Sequence, residues 1–158
     1  MKKFVIVLLL VILVLVMTGC GTAAVEPETL PPRDFPAGDY TEMGDGVVNV
    51  LTPSGSSENG NIPVLYLEPN TMMVQIGLEA WDFNGGALSF VYIDGMLVEK
   101  VQLANTQKAL SLEGSSLSVG VHEVEVVQYS KDDPAGEIIT YKTMAYEIKE
   151  QGYRRGGH

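Results

Sequence analysis

The 158-residue chain is short of most of what a catalytic or covalently stapled domain draws on, with one cysteine, one tryptophan and two histidines. A single cysteine cannot close an internal disulfide, so the folded part has to rest on an ordinary apolar core. A zinc centre needs three or four nitrogen or sulfur ligands, and His122 is the only histidine ahead of the last residue. No metal and no cofactor is expected. No Gly-x-Ser-x-Gly run or other nucleophile setting occurs, so no catalytic residue is assigned and the chain is not expected to be an enzyme. Cations are scarce too, ten against twenty acidic residues for a net charge of −10. That balance repels phosphate backbones, which argues against nucleic acid as a partner. Helical periodicity is also missing, because beyond residue 45 no stretch keeps an apolar period of 3.6 residues.

What the chain does have begins with an address. Two lysines follow Met1, an unbroken apolar run covers Phe4 to Met17, and Thr18-Gly19-Cys20 closes it. Fourteen apolar residues are short for a spanning helix, which wants about twenty. A positive start, a short apolar core and small residues ahead of a cut describe a signal peptide. The order resembles the lipobox of bacterial lipoproteins, with Met17 where that motif most often has leucine, valine or isoleucine. The resemblance implies cleavage between Gly19 and Cys20 and a diacylglyceryl group on the Cys20 sulfur, so that membrane lipid becomes the first partner. Positive charge before the apolar run and acids after it place the body on the extracytoplasmic face of the bacterial cell membrane. Two or more acyl chains give lasting attachment where one does not. An uncleaved amphiphilic anchor carrying an incidental Cys20 thiol is the alternative. Removing residues 1–19 takes away Lys2 and Lys3, which leaves eight cations against twenty acids, a net −12.

Residues 20–45, with four prolines and many small and acidic residues, read as a disordered, extended tether. Tyr40 and Met43 leave a first edge strand open. Residues 46–150 then alternate β-rich runs with clusters of glycine, asparagine, aspartate and serine, an all-β pattern. Strands are expected at Val47–Thr52, Ile62–Leu67, Met72–Phe83, Leu88–Ile93, Met96–Leu103, Ala109–Leu112, Val121–Tyr129 and Glu137–Lys149. Asp94-Gly95 supplies the residue types of a tight hairpin turn. Residues 151–158 read as a disordered tail.

Phe90-Val-Tyr-Ile-Asp-Gly, the leucine-bearing Ser111-Leu112 and the run Leu117-Ser-Val-Gly-Val-His-Glu-Val-Glu-Val-Val-Gln-Tyr129 together resemble the later strands of bacterial immunoglobulin-like surface domains. The likeness covers about forty residues. It implies an immunoglobulin-like antiparallel β-sandwich of seven to eight strands and says almost nothing about activity, since such sandwiches host adhesion, ligand capture and plain spacing.

Three groups of residues invite a chemical reading. His122 lies beside Glu123 and Glu125, but strand parity puts it with Val124 and Val126, so a half-buried ring bonded to backbone is expected. The acids Asp39, Glu42, Asp45, Asp132 and Asp133 lack calcium-loop spacing and are expected in solvent or on local amides. Trp81 and Phe83 share the parity of Gln75 and Glu79, opposite Val74, Ile76 and Leu78. Their rings are therefore candidates for an exposed ligand-binding platform. The competing reading folds Trp81 over the end of the core at Asn84-Gly85-Gly86. Together these features describe a membrane-anchored, non-catalytic binding module whose partner is an envelope or surface protein or a polysaccharide. The alternatives are a carbohydrate-binding accessory module using Trp81 and Phe83 and a small envelope hydrolase.

Overall fold

β-Branched and aromatic runs bounded by turn residues form nine strands in a computed structural model that describes residues 34, 35 and 38–152. The strands are β1 (Val47–Thr52), β2 (Gly55–Ser56), β3 (Val64–Leu67), β4 (Met73–Trp81), β5 (Leu88–Ile93), β6 (Met96–Gln102), β7 (Thr106–Glu113), β8 (Gly120–Tyr129) and β9 (Ile138–Glu150). They make a four-stranded sheet in the order β2-β1-β4-β7 and a five-stranded sheet in the order β3-β9-β8-β5-β6. In the lettering of immunoglobulin domains, β1, β4 and β7 stand as A, B and E, and β9, β8, β5 and β6 as G, F, C and C′. The domain is an immunoglobulin-like β-sandwich. One expectation needs correction, because β3 runs parallel to β9, with Val64 opposite Glu147 and Leu67 opposite Glu150. The first edge of the sandwich switches sheets between β1 and β3. The glycine- and serine-rich loop after Pro53 makes that crossing and adds the two-residue β2, which its lack of apolar content had hidden.

Alternation in β4 and β1 supplies one half of the core, and the both-parity apolar runs of β5 and β8 supply the other. Val50, Leu78, Ala80, Val91, Leu110, Leu112, Val124, Val126 and Tyr146 are all buried in one cluster. The β5–β6 hairpin closes on Asp94 and Gly95, both at positive φ (51° and 78°), the pairing of a type I′ turn that matches strand twist.

The outer face of the five-stranded sheet carries a second apolar cluster. Phe90, Val127 and Tyr141 are paired across β5, β8 and β9, and Tyr92 stands opposite Glu125. Left open, that much aromatic surface would be an aggregation hazard. The residues that precede the sandwich cover it. Phe35 is buried, with its ring centroid 5.0 Å from Tyr40 and from Tyr92 and 5.9 Å from Tyr141. Asp34 holds this strap in place by backbone and side chain, its N–H donating to Gly95 O at 2.9 Å and its Oδ2 accepting from Leu97 N at 3.1 Å. Met43 and Tyr141 exchange two backbone bonds of 3.0 Å. The strap crosses β9 closely at Gly44, where a Cβ would lie 2.5 Å from Ile139 O and φ is +75°. Packing thus begins by residue 34, well before the expected boundary at residue 46. The leader, Gly19, Cys20 and the tether as far as residue 33 lie outside the described residues, as do residues 153–158 of the tail.

Candidate functional site

Trp81 ends β4 and faces outward from the four-stranded sheet, paired with Val47 of β1. It is 39% exposed. On the same face Glu79 stands opposite Asn49 on one side and Gln107 on the other. The loop after β2 rises beside Asn49 as a wall. Ser57 pins it there, its Oγ accepting from Val50 N at 2.9 Å and donating to Asn49 Oδ1 at 3.3 Å, while Ser57 N donates to Val50 O at 2.9 Å. Asn59 turns the loop at φ +58°, a conformation asparagine tolerates better than most residues. The result is an open hollow of about 670 Å³ lined by Val47, Asn49, Ser56, Glu58, Asn59, Glu79 and Trp81. A second hollow of about 630 Å³ shares Asn49 and Asn59 and continues to Glu42, Glu123 and Thr143.

Phe83 is not part of this surface. Asp82 takes a left-handed φ of +56°, with its N–H donating to Asn105 Oδ1 at 2.9 Å, and that breaks the alternation carried by β4. Phe83 swings inward, is buried, and lies against Gly46. The expectation of a two-ring platform is corrected to one exposed ring. Sequence parity marked Trp81 and Glu79 but not the wall, and its only warning was Asn49, a polar residue among the valines of β1.

His122 is buried more deeply than the expected half. Its Nε2 donates to Ser118 O at 2.7 Å and its Nδ1 lies 2.6 Å from Asp94 Oδ2, while its ring stacks on Tyr146 with centroids 5.1 Å apart. Asp94 also accepts from Glu123 N at 3.0 Å. Both ring nitrogens are occupied and no hydroxyl faces them, so the pair clamps the β5–β6 turn to β8 and leaves no base for a nucleophile. The acids at turns cap amides: Glu42 accepts from Thr143 N, Asp132 from Leu88 N and Asp133 from Ala135 N. Among the described residues no three histidine, cysteine, aspartate or glutamate side chains come together as metal ligands.

No family model matches the chain. No curated protein matches it either. Among solved structures it is similar to the fibronectin(III)-like modules of Clostridium thermocellum CbhA, at 15% identity and a TM-score of 0.39 over 66% of this chain and 98% of that one. It is also similar to a CARDB domain from Pyrococcus furiosus, at 13% identity and a TM-score of 0.35 over 68% of this chain and 97% of that one. Likenesses this distant add nothing to what the strand order already establishes.

Proposed function

We propose that the chain is a lipid-anchored, non-catalytic binding module on the extracytoplasmic face of a bacterial membrane. The acyl chains on Cys20 confine it to the membrane plane, and the sandwich presents a recognition surface to another envelope or surface macromolecule. Confinement raises its effective concentration toward anything held at the same surface. The observation that carries the binding half is the asymmetry of the sandwich: one outer face is closed by the strap, while the other holds an exposed tryptophan beside a polar hollow. The anchoring half is carried by the residues Met17-Thr18-Gly19-Cys20 and the charge order around the apolar run. A metabolic fatty-acid label should appear on the wild-type chain, vanish in Cys20→Ser, and be accompanied by release of the variant from the membrane fraction. A chain that stays unlabelled, or a Cys20→Ser variant retained in the bilayer, sinks the anchoring half. Crosslinking from residue 79 in intact cells tests the binding half, which falls if nothing in the envelope is captured.

A further inference from the structure

We infer that the Trp81 hollow binds a neutral saccharide, an assignment that rests on the reading of the chain as a binding module and names its ligand class. The indole offers a flat apolar surface of the kind that packs against the C–H face of a pyranose ring. Around it stand groups that match sugar hydroxyls. Glu79 and Glu58 are acceptors when ionised, Asn59 brings a carbonyl acceptor and an NH₂ donor, and Asn49, whose carbonyl already accepts from Ser57, brings its NH₂. A hydroxyl both donates and accepts, so an amide-and-carboxylate fence suits it better than it suits an apolar protein surface.

Charge narrows the class. No lysine or arginine lines the hollow, and its two carboxylates sit in a chain of net charge −10. Anionic polymers, phosphates and nucleotides meet repulsion there with nothing to offset it. The shape agrees, because the hollow is open rather than enclosed and a second hollow shares Asn49 and Asn59 with it. An open trough of this kind takes several linked rings, whereas a closed pocket takes one.

The test exploits the fact that Trp81 is the chain's only tryptophan, so its emission reports this hollow alone. The full chain in detergent is titrated with cellohexaose, chitohexaose and mannohexaose, with hexagalacturonate as the anionic probe. A saturable blue shift with at least one neutral hexasaccharide, and none with hexagalacturonate, is the expected result. Glu79→Gln and Asn49→Ala should each weaken that response tenfold or more. For Trp81→Ala, which loses the reporter, calorimetry should show no binding heat. No response to any neutral hexasaccharide overturns the inference, as does equal binding of hexagalacturonate or binding that survives Trp81→Ala. A specific protein crosslinked from residue 79 in intact cells, with no saccharide response, overturns the sugar assignment and leaves the binding-module reading standing. An absent fatty-acid label strikes the anchoring half of that reading and leaves the sugar assignment untouched.

Discussion

The two outer faces of the sandwich are built from the same kind of strand and meet opposite fates. On the five-stranded sheet, Phe90, Tyr92, Val127, Tyr129 and Tyr141 would make a broad aromatic surface, and the chain's own Asp34, Phe35, Tyr40 and Met43 pack against it, with Phe35 on Tyr92 and Tyr141 and Tyr40 on Tyr141. On the four-stranded sheet the outward positions mix the polar Gln75, Glu79, Gln107 and Ser111 and a buried Asn49 with the exposed apolar Val47 and Met73, and Trp81 is the one aromatic ring among them. The difference teaches that exposure alone does not mark a recognition surface. An apolar face that the chain itself covers is part of the core, and a mostly polar face holding a single exposed ring is where specificity can be read.

The largest effect separating the faces should come from Phe35→Ala. Removing a fully buried ring costs about 3–5 kcal/mol, seen as a lower urea midpoint, and uncovering the aromatic face should add binding of a hydrophobic dye. A change under 1 kcal/mol would mean that the strap lies on the sheet without holding it.

Alkali should come next. Burial drives the hydroxyls of Tyr129, Tyr146 and Tyr92 above the ordinary phenol value of 10.0; the side-chain bond between Tyr92 and Tyr129 raises Tyr129 further and partly offsets the rise in Tyr92. A folded-state value above the unfolded one means that their contribution is fully present below pH 10 and is lost as pH climbs beyond it. Stability should therefore hold from neutrality to about pH 10 and fall above that, and Tyr129→Phe should blunt the fall. An unchanged alkaline fall in Tyr129→Phe would remove that tyrosine from the explanation.

Asp94→Ala should cost less, about 2–3 kcal/mol, since it strips a partner from buried His122, frees Glu123 N and leaves alanine at positive φ. His122→Ala and the double variant complete a cycle whose coupling should exceed 0.5 kcal/mol, as is usual for directly bonded residues. Strict additivity would deny the clamp.

Trp81→Ala should be the mildest for stability, within about 1 kcal/mol, because the ring is 39% exposed and lies outside both buried clusters. Its effect belongs to binding instead. A loss of several kcal/mol would mean that the ring is structural.

Most of the sandwich could be read from the chain because strand signals are local. Val47–Thr52 and Leu88–Ile93 are bounded as the β-branched runs suggest, and Asp94-Gly95 announces its turn. The larger errors are where distant contacts decide. Phe83 follows Asp82, whose left-handed backbone is fixed by Asn105 more than twenty residues away, so parity counted through Asp82 points the ring to the wrong face. The parallel β3–β9 pairing joins segments about eighty residues apart and leaves no periodic trace. The strap has the composition of a tether, and only the aromatic face it meets turns it into structure. Of the candidate site, Trp81 was legible, whereas Asn59 and Ser56 reach it through a loop whose path no residue pattern predicts.

Hydrogen–deuterium exchange of the full chain in detergent, with and without a saturating neutral hexasaccharide, bears most directly on the contrast between the faces. Slowed exchange in residues 47–60 and 77–81, with residues 88–93 and 125–129 unchanged, is the expected pattern. Protection confined to the aromatic face, or to no part of the sandwich, would contradict it.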